Sequence, residues 1–167
     1  MEEMVDIVNE QDNVIGQATW EEMHRMALLH RSANILVFNS KGELFVHKRA
    51  AGLALYPGMH DVKFGGIARA GESYEDCAKR ELKEEAGIEK AKLEFLFPLR
   101  FRSGNNNNNR KVYRTVYDGI IKLQKEEVES GSFMTLDEAK KMLADGKLSP
   151  SAEFVFKEFL KRKEVKM

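Results

Sequence analysis

Apolar positions come first in short runs broken by turn residues and later at helical spacing. Met4 to Asn9 is rich in Val and Ile, Glu10 to Asn13 reads as a turn, and Val14 to Ala18 follows as the second arm of a hairpin. Thr19-Trp20-Glu21-Glu22 has the spacing of a capping box, in which Thr19 caps and Glu22 reaches back, and it predicts a short helix to about Arg25. Ser32 to Phe38 and Leu44 to Lys48 are strand-like, joined by the turn Asn39-Ser40-Lys41-Gly42. Ala50 to His60, with Gly52, Pro57 and Gly58, reads as a loop. Val62 to Ala68 has strand character that Gly65-Gly66 interrupts.

Further on, Ser73 caps a helix predicted to run to Ala86, where Gly87 supplies a left-handed stop. Leu93 to Phe101 and Val112 to Leu123 predict two long strands. Between them, Ser103-Gly104 leads into an unbroken asparagine run, Asn105 to Asn109. A polar homopolymer has no apolar surface to bury, so a mobile loop tip is predicted. Thr135 to Glu138 repeats the capping-box signal and opens a helix to about Ala144. Ser149-Pro150 caps a last helix whose Phe154, Val155, Phe159 and Leu160 form an apolar stripe. The charged tail, Lys161 to Met167, is predicted to fray. Without linker or repeat, one domain over 1–167 is expected, with the N-terminal hairpin and helix in 1–30 and the C-terminal helices at about 135–162.

The 167 residues suffice for a domain that folds alone, and 27 Lys plus Arg balance 27 Asp plus Glu. That balance argues against a general nucleic-acid binder, which would carry a basic surplus. Cys77 stands alone, which excludes an internal disulfide framework and fits a reducing compartment. No apolar run approaches the roughly 20 residues needed to span a bilayer. A soluble, cytoplasmic protein is expected.

The chemistry concentrates in residues 66–88. Glu81, Glu84 and Glu85 fall at i, i+3 and i+4 of the predicted helix and so share a face. Like charges so placed repel, and hard oxygen ligands of this kind suit Mg²⁺ or Mn²⁺ held against a diphosphate. Arg80 points about 100° away from Glu81 and is better placed to pair with Glu72. Gly66 and Gly71 let the backbone turn tightly beside a ligand. An acidic triplet by itself is most often a solvated helix face. The whole arrangement, Gly66, Glu72, Arg80-Glu81-Leu82, Glu84-Glu85 and Gly87-Ile88, would arise by chance on the order of once per billion start points.

This stretch resembles the Nudix box, G-x5-E-x7-R-E-U-x-E-E-x-G-U with U apolar, at every defined position. The resemblance implies an α/β/α sandwich with a mixed β-sheet and a loop-helix-loop catalytic motif. It implies hydrolysis of a phosphoanhydride in a nucleoside diphosphate derivative or related small diphosphate, with Mg²⁺ as cofactor and Mn²⁺ able to substitute. Glu81, Glu84 and Glu85 would bind the metal and orient or activate water, with Glu72 and Arg80 as a supporting ion pair. Which glutamate is the general base varies within the family and stays open. Glu126, Glu127 and Glu129 are candidates for an extra carboxylate, although solvated loop charge is the plainer reading of them. Dimers are common among such proteins, so a homodimer is one option.

Residues 24–72 also resemble type 1 isopentenyl-diphosphate isomerase, through Leu29-His30-Arg31, Lys48-Arg49-Ala50 and Tyr56-Pro57-Gly58 among others. That enzyme carries C-G-H where this chain has Gly65-Gly66-Ile67, so both its thiol and a histidine ligand are missing. Cys77 lies in the helix, on the far side of the loop, and is read as packed and inert. Without the third histidine, His24 and His30 are read as surface or core residues. Isomerisation and a non-catalytic nucleotide sensor are the alternatives to hydrolysis. Lys48, Arg49 and Lys63 are candidates to meet phosphate oxygens, and His47 and His60 to touch substrate, each against ordinary surface charge. Phe95, Phe97, Phe101, Tyr113 and Tyr117 are read as core, not as base-stacking residues.

Overall fold

The computed structural model describes residues 2–165. They form nine strands and four helices: β1 (Met4–Val8), β2 (Val14–Thr19), α1 (Trp20–Arg25), β3 (His30–Phe38), β4 (Leu44–Arg49), β5 (His60–Asp61), β6 (Phe64–Ile67), α2 (Tyr74–Ala86), β7 (Glu94–Ser103), β8 (Asn106–Val116), β9 (Val128–Met134), α3 (Leu136–Ala144) and α4 (Pro150–Val165). The tail predicted to fray is helical to Val165, and residues 166 and 167 lie outside the described residues. No helix among the described residues is long and apolar enough to cross a membrane.

β3 is the hub of a mixed sheet. It runs parallel to β8 from His30↔Asn108 to Phe38↔Val116, and antiparallel to β6 on its other side. β4 carries β5 and β9, and β1 brings in the β1–β2 hairpin. β3 is buried on both faces, so its side chains sort by period two. Ala33, Ile35 and Val37 face α2, meeting Ala78, Leu82 and Ala86. Leu36 and Phe38 face the other way, into a cluster with Val112, Val155, Phe156 and Phe159 against α4. The result is the expected α/β/α layering. Val5, Ile7, Ala18 and Met23 form a third, smaller cluster under the hairpin and α1, with Ile67 packed on it.

The local signals acted as their chemistry dictates. Thr19 and Thr135 each make a complete reciprocal capping box, with Glu22 and Glu138. Ser73 caps α2, and Gly87 ends it at φ 66° in the left-handed region.

Four expectations are corrected. The asparagine run is no loop tip: Asn106 to Asn109 belong to β8, and the turn is confined to Gly104 and Asn105. Its amides find partners, Asn107 Nδ2 donating to Ala27 O at 3.0 Å and Asn109 Nδ2 to Asp12 at 3.1 Å. The second long strand ends at Val116 instead of Leu123, because Tyr117 to Leu123 leave the sheet and pack beside α2. Gly65 and Gly66 pair with Asn34 and Ala33 inside β6 and do not interrupt it. Phe95 is 50 % exposed, although Phe97, Phe101 and Tyr113 are core.

Candidate active site

β6 and α2 bring the carboxylates together. Gly66 lies so close to the helix that a Cβ there would stand 2.4 Å from Glu81 Oε1. Glycine at this position therefore makes a cradle for the Glu81 carboxylate. Gly65, at φ 148°, is tighter still: a Cβ would lie 2.0 Å from Ala33 O. Its N–H donates to Glu85 Oε2 at 3.2 Å. Glu81 is thus seated on one glycine and Glu85 on the next, while Glu84 is exposed.

Arg80 ties the cluster to the incoming loop. Its Nε and Nη2 donate to the two oxygens of Glu72 at 2.8 and 3.0 Å, a bidentate fork. Nη2 also donates to Ile67 O at 3.1 Å, and Nη1 to Glu81 Oε1 at 2.7 Å and Glu84 Oε2 at 3.3 Å. The sequence pointed to Glu72 alone, yet the guanidinium also gathers Glu81 and Glu84. With those two turned to Arg80, no three acidic, His or Cys side chains among the described residues converge on one point. Burial works against the charge on Glu72, but the Arg80 bond and the Arg69 amide outweigh it and hold this carboxyl below its usual range.

Glu81 and Glu85 go the other way. Burial raises both, opposed at Glu81 by Arg80, and each is pushed further by neighbouring carboxylates, Glu127 among them. Glu85 is raised well above the usual value. Clustered, half-buried carboxylates whose charges are uncomfortable are what a bound divalent cation would relieve. All the donors are oxygen, the choice of Mg²⁺ and Mn²⁺. In donor chemistry the residues present fit such an ion, although their carboxylates do not converge on one point in this structure.

Of the three outside carboxylates, Glu127 bears on Glu81 and Glu85, whereas Glu129 pairs with Lys48 at 3.5 Å. Nothing in the structure connects Glu126 to the cluster. Arg49 is engaged elsewhere, its Nε and Nη2 both donating to Leu55 O. Lys63 reaches closest to the chemistry: it is almost buried, pairs with buried Asp61 at 3.4 Å, and its charge is felt by Glu85. Burial lowers the Lys63 pKa against the pull of Asp61.

The histidines separate. His47 is buried and stacks on Phe64 at 4.6 Å, its Nε2 donating to Lys63 O. His60 forms the short β5 and is half-buried. His30 is fully buried, with Nδ1 at 2.9 Å from Leu28 O and no partner for Nε2. His24 lies beside it, ring centroids 6.1 Å apart. Ile67, in place of a third histidine, sits among the hairpin's apolar residues. Cys77 is fully buried, and burial pushes its thiol up to about 12. It faces the glycine loop, with Sγ 3.5 Å from Gly66 O, and so does not lie on the far side as expected.

Buried Asp61 and Arg110, and Asp6, Asp12 and Arg69 of the hairpin and loop, were missed in the sequence. Asp61 follows the Gly/Pro-rich loop and Arg110 follows the asparagine run, so no local apolar pattern marked either charge as buried. A groove of about 880 Å³ between β7, β8 and α4, lined by Phe38, Leu96, Phe97 and Phe159, does not reach Glu72, Glu81, Glu84 or Glu85.

The family model of the NUDIX domain matches residues 28–155. The uncharacterized Nudix hydrolase PA4841 of Pseudomonas aeruginosa is 38% identical over 144 residues, covering 84% of this chain and 85% of its own. The uncharacterized Nudix hydrolase SCO1686 of Streptomyces coelicolor is 34% identical over 151 residues, with 89% and 83% covered. The crystal structure of DR0079 from Deinococcus radiodurans superposes with a TM-score of 0.80 at 25% identity, covering 93% of this chain and 98% of that one.

Proposed function

The chain belongs to the Nudix family, and on that footing we propose that it is a metal-dependent hydrolase of a phosphoanhydride in a small diphosphate compound, with nucleoside diphosphate derivatives as the first class to test. The observation that carries the reading is the seating of Glu81 on Gly66 and Glu85 on Gly65 beside the Glu72–Arg80 fork. Glu81, Glu84 and Glu85 would hold Mg²⁺ or Mn²⁺. When bound, the ion neutralises the diphosphate and makes its coordinated water more acidic.

Arg80 does not leave the carboxylates free. Its Nη1 holds one oxygen each of Glu81 and Glu84, leaving the second oxygen of each for a cation, while Nε and Nη2 hold Glu72 and keep the loop fixed to the helix. Burial and the neighbouring Glu81 raise Glu85 well above the usual carboxylate range in the metal-free protein, and a cation bound beside it would bring it down again. Lys63, held by Asp61, would be the cation nearest the carboxylates for a phosphate oxygen to meet.

Isomerisation is disfavoured by backbone geometry. No residue with a Cβ fits at position 65 without moving Ala33 O, so the strand has no room for a cysteine there. The test is product identification by mass across nucleoside diphosphate derivatives, nucleoside triphosphates and isopentenyl diphosphate, with Mg²⁺, Mn²⁺ or EDTA. Metal-dependent cleavage, lost in Glu85→Gln, is the expected outcome. Conversion of isopentenyl diphosphate to its isomer, or nucleotide binding with no turnover in any metal, overturns it.

A further inference from the structure

The β1–β2 hairpin lies outside the stretch matched by the family model, yet it grips the first half of the 66–88 motif at several points. Met4 O accepts from Ala70 N–H at 2.9 Å. Asp6, 8 % exposed, accepts from Gly71 N–H through Oδ2 at 2.8 Å and from Gln17 Nε2 through Oδ1 at 3.1 Å. Glu3 pairs with Arg69. At the hairpin tip, Asp12 accepts from the hydroxyl of Tyr74, the first residue of α2, at 3.0 Å and from Arg31 Nε at 3.1 Å. Ile67 packs into the hairpin's own apolar cluster.

These contacts end where the cluster of carboxylates begins. Arg69 N–H donates to Glu72 Oε2 at 2.9 Å, Glu72 takes the Arg80 fork, and Arg80 reaches Glu81 and Glu84. The loop 68–72 has no regular structure of its own, and Gly71 stands at φ 77°, a conformation a free loop would sample as one of many. The hairpin removes that freedom from outside. Charged side chains buried this far are retained where they hold something in place, and Asp6 spends one oxygen on a backbone amide of this loop.

We propose that the β1–β2 hairpin is a clamp on the metal-binding motif, with Asp6 as its positioning residue. Asp6 bonds Gly71 and Gln17 and none of Glu81, Glu84 and Glu85. It fixes Gly71, and through the loop it sets Glu72, Arg80 and the carboxylates that Arg80 gathers. The proposal rests on the reading of Glu81, Glu84 and Glu85 as metal ligands.

The test is titration of the full chain with Mn²⁺ alone, followed by water-proton relaxation or calorimetry, for the parent, Asp6→Ala, Asp6→Asn and Thr19→Ala. Asp6→Ala is expected to weaken Mn²⁺ binding about tenfold, the low end for groups that orient metal ligands indirectly. Asp6→Asn keeps an oxygen for Gly71 N–H, and Gln17 can turn its amide to accept from the new NH₂, so affinity should return to within about twofold of the parent. Thr19→Ala removes the cap of α1 and loosens the same hairpin without touching the loop. It should leave Mn²⁺ affinity unchanged. Hydrogen exchange should quicken at Ala70 to Glu72 in Asp6→Ala alone. Parent affinity retained in folded Asp6→Ala, or an equal loss in Thr19→Ala, overturns the clamp. If Asp6→Ala does not fold, Asp6→Asn and Gln17→Ala decide it, with parent-like affinity expected for the first and a smaller weakening for the second; equal affinities in the two overturn it. Failure of the parent to bind Mn²⁺ sinks the metal-site reading instead.

Discussion

His30 should make the folded protein acid-sensitive above the range in which most carboxylates titrate. It opens β3, pairs with Ile7 of the hairpin and Asn108 of β8, and has no exposed surface. Leu28 O can only accept, so Nδ1 carries the hydrogen, and Nε2 is a bare lone pair without a partner. A proton on Nε2 would be a buried charge with nothing to meet it. Burial therefore lowers the His30 pKa from 6.5 to about 4, and the charges of His24 and Arg110 push the same way against the Leu28 bond. The unfolded chain takes up the proton first as pH falls. This contribution to stability is complete above pH 6.5 and drains away as pH drops towards 4. The gap between 6.5 and about 4 is worth about 3 kcal/mol in full, of which about 2 kcal/mol is lost between pH 7 and pH 5. Urea unfolding at pH 7, 6 and 5 measures it, with His30→Asn as comparison because its amide keeps a donor for Leu28 O and does not titrate. His47 is shifted in the same direction by burial, so the readout is the difference in pH slope between parent and variant. Equal slopes would refute the assignment of the neutral, buried tautomer.

Four further outcomes follow from the geometry and chemistry around the motif. Gly65→Ala drives a Cβ into a backbone carbonyl at a φ only glycine tolerates, and should cost about 3 kcal/mol or prevent folding. Gly66→Ala meets only the end of the Glu81 side chain, so its thermal midpoint should stay within a few degrees while metal-dependent turnover falls about 100-fold; a melt and a rate assay run together separate the two. Arg80→Lys keeps the charge but loses the fork, and urea titration should show a loss of about 2 kcal/mol with turnover reduced at least about tenfold. Mg²⁺ at about 100 times its Kd should raise stability by about 2.7 kcal/mol in a thermal shift assay, and EDTA should reverse it; no shift, or a shift that survives Glu81→Gln, would count against the carboxylates as ligands.

Much of this was legible in the chain because the signals were local. A cap needs a hydroxyl and a glutamate three residues on, and both boxes formed as written at Thr19 and Thr135. The i, i+3, i+4 spacing of Glu81, Glu84 and Glu85 likewise needs nothing beyond helical geometry. What stayed hidden depended on partners distant in sequence. β9 is an edge strand of sequence VESGSFM, polar because one side has no neighbour, and it gave no apolar pattern to read. The glycines of β6 looked like a break, yet they are what lets β3 and α2 approach from either side. Asp6 and Asp12 carry no local signal within the predicted hairpin and its turn, and only the fold brings them to Gly71 and Tyr74.

The asparagine run has a consequence for how the protein can fail. Uncharged, Asn-rich segments without proline stack readily into intermolecular cross-β ladders. In the native sheet Asn108 and Asn109 are paired on both sides, by β3 and by β7, and Asn106 and Asn107 are paired by β7. Arg100 and Arg102 across the hairpin and Arg110 at its end place charges around the run, as gatekeepers do. The dangerous species is therefore a partly open one, in which β7 has peeled away while the rest of the sheet persists. The pairing of β7 with β8 is thus what keeps this run from offering an open edge to another chain.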